Sequence, residues 1–256
     1  MNSEFLGRAM PWLVTAGTLA LWEGLCRLFR VPEFILPAPL RILAATVEYW
    51  DAIWFHASHT LVMTLIGFAL AVVFGLLLGI AVGSSRLAYQ GLYPLLIGFN
   101  SVPKVAIVPV LVIWFGVGAI PAILIAFLMS FFPIAVNVAT GLATVEPELE
   151  DVLRSLGAKP RDLILKVGLP RSMPFFFASL KIAITLAFVG AVISESIASS
   201  RGIGTLMVQA SADFRVALVF AGLMVTAVMG IVMYAFFAVI EQHTTQWANR
   251  KMEMEV

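Results

Sequence analysis

The sequence predicts an all-α integral membrane protein, and three observations lead to that prediction. Hydrophobic residues make up 61% of the 256 residues, and charged residues make up 12%. The mean hydropathy is +1.00, which is more apolar surface than one soluble domain of this size could bury. Apolar stretches of about 20 residues, the length that crosses a bilayer as a helix, alternate with short polar segments.

Six apolar stretches predict six transmembrane helices. They cover residues 10–29, 59–83, 92–115, 119–142, 174–198 and 215–240. The expected permease core is 59–247, which follows the first span and its connection. Residues 1–9 and 248–256 are expected to be cytoplasmic tails.

The segments between the spans also predict local structure. Residues 30–58 connect the first two spans, and residues 40–55 have the helical period and aromatic residues of a helix at the membrane interface. Residues 143–173 form the long polar loop before the fifth span. Residues 199–214 are expected to be a polar connection before the sixth.

A stripe of small residues runs along the second span. Its members fall every fourth residue, so that they share one helix face: Gly67, Ala71, Gly75, Gly79 and Gly83. Such a face lets another helix approach closely, which is the usual packing device in lipid. The stripe predicts tight helix contacts and no chemistry.

Polar residues within the spans are candidates for a solute path. The third span is interrupted at residues 100–104 and again at Pro109, which predicts a bent or broken helix. Charged groups at membrane depth favour a water-filled cavity or a polar partner. The path or gate candidates are Asn100, Pro103, Lys104, Asn137 and Glu195. The alternative is that Lys104 and Glu195 only tie helix ends together.

No metal site or enzyme active site is evident. His56 and His59 are three residues apart, but no third ligand lies nearby, which favours ordinary interfacial histidines. The sequence has no Gly-Lys dipeptide and therefore no phosphate-binding P-loop. We expect no catalytic residues, no metal and no cofactor. A net charge of +1 gives no reason to expect a nucleic-acid partner.

The distribution of Lys and Arg predicts the orientation. Six spans put both termini, the 84–91 loop and the 143–173 loop on one side. Nine basic residues fall on that side, against four on the other, so the positive-inside rule makes it cytoplasmic. The nine are Arg8, Arg86, Arg154, Lys159, Arg161, Lys166, Arg171, Arg250 and Lys251, and the four are Arg30, Arg41, Arg201 and Arg215.

The longest polar interruption, residues 148–171, predicts two short helices. Leucine and valine residues recur at helical spacing over 148–157, and Gly157 is placed to end that helix. A second helical pattern, 163–167, is expected to end at Leu169 and Pro170.

The spacing of this segment resembles the EAA loop of ABC transporter permeases. Gly157, Leu169 and Pro170 match that motif, Val167 stands in for isoleucine, and the triplet 151–153 replaces Glu-Ala-Ala. The resemblance implies a coupling helix that contacts a separate ATPase. Its expected contact residues are Glu150, Asp151, Val152, Leu153, Arg154, Leu156, Gly157, Leu169 and Pro170.

Further motifs resemble the nitrate, sulfonate, taurine and bicarbonate branch of these permeases. They are Pro94-Leu95-Leu96, Val102-Pro103-Lys104-Val105-Ala106, Trp114-Phe115-Gly116-Val117-Gly118, Ser194-Glu195 and Gly202-Ile203-Gly204. The resemblance implies a type I importer core of five helices plus one N-terminal helix, in the bacterial inner membrane. It also implies a second copy of the chain, two ATP-binding subunits that bind the ATP, and an extracytoplasmic substrate-binding protein.

The substrate stays open at this point. A small anion such as a sulfonate, taurine or nitrate fits the branch, which also includes permeases for pyrimidine precursors of thiamine and for riboflavin. An ion-coupled secondary transporter is the competing class. It would use ionisable groups within the spans, where Lys104, Lys181 and Glu195 are candidates.

Overall fold

The structure is a computed structural model, and it describes residues 2–144, 152–153 and 155–252. These residues form helices and no β-strand. A 3₁₀ turn, Lys104–Ile107, precedes α5, and a π-helical turn, Ile164–Gly168, joins α7 to α8. The α-helices are α1 Asn2–Leu28, α2 Pro39–Glu48, α3 Trp50–Gly83, α4 Arg86–Asn100, α5 Val108–Phe115, α6 Ala119–Ala143, α7 Pro160–Leu163, α8 Leu169–Ala198, α9 Ile203–Ala212 and α10 Val216–Met252.

The small-residue stripe of α3 packs against α6, as the spacing predicts. A Cβ atom at Gly79 would lie 2.7 Å from the carbonyl oxygen of Ala135, which is closer than real Cβ atoms come. Gly67 meets Ala126 near one end and Gly83 meets Leu142 near the other. The two helices therefore run side by side in the same direction, with their backbones in contact.

The core lies among α3, α6, α8 and α10. Each helix contributes buried side chains to one continuous cluster, including Phe68 of α3, Ile134 of α6, Ile184 of α8 and Met233 of α10. Since lipid tails are as apolar as these side chains, close van der Waals packing holds the helices together.

Four of the described helices are long and apolar enough to cross a membrane. They are Trp50–Gly83, Ala119–Ala143, Ile164–Ala198 and Val216–Thr245. The pair α4 and Lys104–Phe115 adds a fifth span if it is counted as one. The helix α1, where residues 10–29 were predicted to cross, is not among them, so six spans remain a prediction.

The predicted break in the third span is confirmed. The chain bends by 73° between α4 and the segment that begins at Lys104. Residues 101–103 separate the two parts, because Pro103 offers no N–H to continue the helix and its φ of −68° with ψ of 96° is extended.

Two predicted connections have a different structure. The helix expected over 40–55 is two helices, because the chain turns at Tyr49. That turn lets Ile42 of α2 and Ile53 of α3 reach the same buried cluster. The supposed polar connection at 199–214 contains α9, whose Ile203, Leu206 and Ala210 are buried at helical spacing.

Candidate functional site

The helical turn before Gly157 ends at that glycine, as the sequence predicts. Leu156 N–H donates to the carbonyl oxygen of Val152 at 3.2 Å, and Ala158 N–H donates to that of Leu153 at 3.0 Å. Gly157 has a φ of +86°, the left-handed conformation that favours glycine. The bond from Ala158 to Leu153 and the left-handed glycine together form a Schellman helix end.

The predicted coupling helix at 148–157 is only partly within the described residues. Glu150, Asp151 and Arg154 lie outside them, as do the other residues of 148–151. Val152 and Leu156, four residues apart on one helix face, are 56% and 79% exposed. The described part of the turn therefore presents apolar side chains to its surroundings.

The prediction that Leu169 and Pro170 end a helix is wrong. The chain passes from α7 through the π-helical turn into α8 without a break. Leu169 N–H donates to the carbonyl oxygen of Ile164, five residues back. This wide turn places Pro170 in the first turn of α8, where a missing N–H is tolerated.

The start of this segment is held by a local charge pair. Lys166 Nζ lies 2.9 Å from Oδ1 of Asp162, and Lys159 N–H donates to Oδ2 at 3.3 Å. The hydrogen bond from Lys166 is the main cause that lowers the pKa of Asp162 below its usual value. Asp162 is thus ionised near neutral pH and fixes the turn that enters α7.

Lys104 and Asn100 meet at the bend. Lys104 Nζ donates to both the carbonyl oxygen and Oδ1 of Asn100, each at 2.8 Å. A cation is favourable there because the last carbonyl groups of α4 carry partial negative charge. No ion pair of the described residues joins Lys104 to a carboxylate. Among the described residues, the polar partners of Lys104 are therefore the two oxygens of Asn100 rather than a carboxylate.

The structure does not bring Asn137 together with Lys104 and Asn100. Its Nδ2 donates to the carbonyl oxygen of Pro133 at 2.8 Å, within α6. Among the described residues, no hydrogen bond joins Asn137 to Lys104 or Glu195. Lys181, the third ionisable group within the spans, forms an ion pair with Glu241 of α10.

Glu195 is buried at the far end of α8, with 1% of its surface exposed. Its Oε2 accepts a hydrogen bond from the Thr60 hydroxyl at 2.7 Å and a longer one from Gly204 N–H at 3.4 Å. Nδ1 of His59 lies 3.6 Å from Oε1. Through these contacts Glu195 links α8 to α3 and α9.

Sequence reasoning missed Thr60 and the role of the histidines. Thr60 is fully buried and touches both Glu195 and Ile203. The available signal was the spacing of His56, His59 and Thr60, which places all three on one face of α3. No group of three potential metal ligands occurs among the residues that the structure describes.

Residues 71–246 match the family of binding-protein-dependent transport system inner membrane components. The chain belongs to this family. A formylaminopyrimidine transport permease protein, ThiX, from Halalkalibacterium halodurans is 29% identical to it, over 94% of this chain and 96% of the relative. A putative aliphatic sulfonates transport permease protein, SsuC, from Bacillus subtilis is 30% identical, over 93% of this chain and 87% of the relative.

A solved structure gives the same fold. A chain of the MetNI methionine ABC transporter, in an inward-facing conformation, matches this chain with a TM-score of 0.66 and 18% identity. The match covers 76% of this chain and 95% of the MetNI chain. Family membership and the permease relatives show that the chain is the permease subunit of an ABC importer. The solved structure shows that it has the all-α fold of a type I importer permease. It is a transport component of the inner membrane.

Proposed function

We propose that two copies of this permease form the translocation path of an importer for a small anionic solute, of the sulfonate, taurine or nitrate class. Two ATP-binding subunits bind the ATP and one extracytoplasmic binding protein delivers the solute. Both termini face the cytoplasm, as the distribution of Lys and Arg supports. Membership of a binding-protein-dependent family supports the two kinds of partner.

The coupling contact with the ATPase is the turn that ends at Gly157. The observation that carries this proposal is the exposure of Val152 and Leu156, since no described part of the chain covers their apolar face. An exposed apolar face fits a groove on a partner protein. Its position after α6 and before α7 places it at the end of the bundle that the predicted topology makes cytoplasmic.

The test replaces both apolar side chains, as Val152→Ser with Leu156→Ser. Binding of the ATPase subunit and ATP-driven uptake should each fall by about fivefold or more, because interface anchors dominate binding energy. Val47→Ser is the matched control, since Val47 is 78% exposed on α2 at the other end of the bundle. If the double variant binds the ATPase and transports as well as the control, the turn is only a connector.

The path is proposed to pass the bend between α4 and α5. Lys104 supports this, because its charge has no carboxylate partner among the described residues and its head group is held by Asn100. A cation there, beside the backbone groups freed at Pro103, favours an anion. Asn137 is a further candidate on α6. Glu195, buried among protein groups, has a different role that is argued below.

The substrate class is tested on the partner binding protein. Thermal-shift screening of sulfonates, nitrate, pyrimidines and flavins identifies its ligand, and uptake of that ligand is then compared for Lys104→Met and Lys159→Met. The anion proposal expects a sulfonate or nitrate ligand and slower uptake only in Lys104→Met. Unchanged uptake in Lys104→Met would remove this residue from the path.

The second candidate substrate is a pyrimidine precursor of thiamine. The similarity to a formylaminopyrimidine permease over 94% of the chain favours it. A binding protein that takes pyrimidines and no anion would establish this alternative in place of the first, and one that takes riboflavin would establish the riboflavin alternative.

A further inference from the structure

The helix α9 begins without a capping side chain of its own. Its N-cap residue is Gly202, and the next three residues, Ile203, Gly204 and Thr205, are buried. The first N–H groups of a helix have no partner within it, and burying them unpaired is unfavourable. Acceptors must therefore come from neighbouring elements.

Two side chains from other helices supply these acceptors as a relay of hydrogen bonds: Thr60 of α3 and Glu195 of α8. Ile203 N–H donates to Oγ1 of Thr60 at 2.8 Å, and the Thr60 hydroxyl donates in turn to Oε2 of Glu195 at 2.7 Å. The same carboxylate oxygen lies 3.4 Å from Gly204 N–H. A carboxylate at this place also interacts favourably with the positive end of the α9 dipole.

The backbone is shaped to admit this carboxylate. A Cβ atom at Gly202 would lie 2.1 Å from Cδ of Glu195, so no other residue fits without displacing the carboxylate. Gly202 also has a φ of +115°, which side chains disfavour. Its N–H donates to Nδ1 of His56 at 3.1 Å, which gives the residue before α9 a partner as well.

The other carboxylate oxygen faces His59. Oε1 of Glu195 and Nδ1 of His59 are both buried, and neither has a hydrogen bond to a described residue. They lie 3.6 Å apart, so that a shift of about 1 Å would join them. His56 and Arg201 are the other ionisable groups beside this pair. The neighbouring helices α5, α6 and α9 contain no ionisable residue.

We propose that Glu195 is the residue that positions α9. Its carboxylate, on α8, caps the N-terminus of α9 both directly and through the hydroxyl of Thr60. The consequence reaches beyond the cap, because Ile203, Leu206 and Ala210 share a buried cluster with α2, α3 and α10. Glu195 thereby fixes the element that covers this end of the bundle, the end that the predicted topology turns outward.

The experiment measures hydrogen exchange at 203–206 in the full-length permease in lipid nanodiscs. Glu195→Gln keeps the shape and removes the charge, and Thr60→Val keeps the volume and removes the hydroxyl. Each should raise exchange of these amides by about tenfold, as expected for losing a charge-assisted hydrogen bond. Ser194→Ala is the control, since Ser194 has an adjacent buried hydroxyl that bonds to no described residue.

Rescue separates the relay from simple packing. Thr60→Ser retains the hydroxyl and should keep the protection that Thr60→Val loses, with exchange along α6 unchanged throughout. Wild-type exchange at 203–206 in Glu195→Gln would overturn the proposal, as would equal loss in Thr60→Ser and Thr60→Val. Because the measurement needs neither substrate nor ATPase, its outcome is independent of the proposed function.

Discussion

At the scale of single residues, glycines, which have no side chain, make the closest contacts between helices. The stripe of α3 meets the backbone of α6 at distances that leave no room for a Cβ atom, as at Gly75, where it would lie 2.8 Å from the carbonyl oxygen of Phe131. Since the apolar surroundings offer no hydrophobic driving force, this fit is what stabilises the pair.

Gly79→Val should therefore destabilise the fold. Its Cβ would meet the Ala135 carbonyl oxygen at 2.7 Å and Val138 Cβ at the same distance, so that α3 and α6 must separate. Overpacking of this kind costs about 1–3 kcal/mol, measured as a lower thermal unfolding temperature of the solubilised permease. Gly98→Val is the control, because no atom lies within 4 Å of a Cβ there. Equal temperatures for both variants would contradict the packing role.

Periodic features of the sequence could be predicted, and contacts between distant residues could not. The stripe repeats every fourth residue and so indicates a packed face, although it does not name the partner helix. Thr60 and Glu195 are 135 residues apart in the chain, and nothing in the local sequence of either indicates their hydrogen bond. Their juxtaposition depends on how α3 and α8 pack.

At the scale of elements, proline marks where helices change, and the surroundings determine how. Pro103 breaks its span, as predicted, whereas Pro170 lies in a helix that continues. The difference is the π-helical turn before Pro170, which depends on a hydrogen bond between Leu169 and Ile164. The sequence shows each proline and the helical period around it. It does not show whether a π-helical turn will let the helix continue past the proline.

The helix end at Gly157 should be sensitive to the backbone conformation alone. Gly157→Ala places a Cβ on a residue with a φ of +86°, which costs about 1 kcal/mol although no atom of the described residues obstructs it. We expect weaker coupling of ATP hydrolysis to uptake, with Gly157→Asn less affected since asparagine tolerates this conformation. Gly91→Ala, equally unobstructed, should be neutral. Full coupling in Gly157→Ala would show that the turn conformation is unimportant.

An ion pair joins the middle of α8 to α10. Lys181 and Glu241 are about one-fifth exposed, and Lys181 also lies 6.0 Å from the ring centre of Tyr234. Lys181→Met leaves Glu241 unpaired and should destabilise the permease by about 1–3 kcal/mol. Adding Glu241→Gln should recover most of that loss in thermal unfolding. A double variant as unstable as the sum of its single variants would indicate that the two residues are independent.

At the scale of the whole molecule, the composition correctly predicts a helical membrane protein, and the motifs predict its family. The count of six spans stays a prediction, since α1 is not among the described helices that are long and apolar enough to cross a membrane. The buried contacts of α9 were not predictable, because its surrounding cluster comes from three other helices.

The proposed pairing of two permease copies must use a surface other than the stripe of α3. The stripe of α3 is occupied by α6 of the same chain, so it cannot also be the contact between two permease copies. We predict two permease chains per two ATPase chains in native mass spectrometry of the purified complex. Ala71→Gly, a stripe variant that adds no volume, should leave that stoichiometry unchanged, because the stripe contacts α6 of the same chain. One permease chain per two ATPase chains would contradict the paired arrangement. Loss of pairing in Ala71→Gly would indicate that the stripe takes part in the contact between copies.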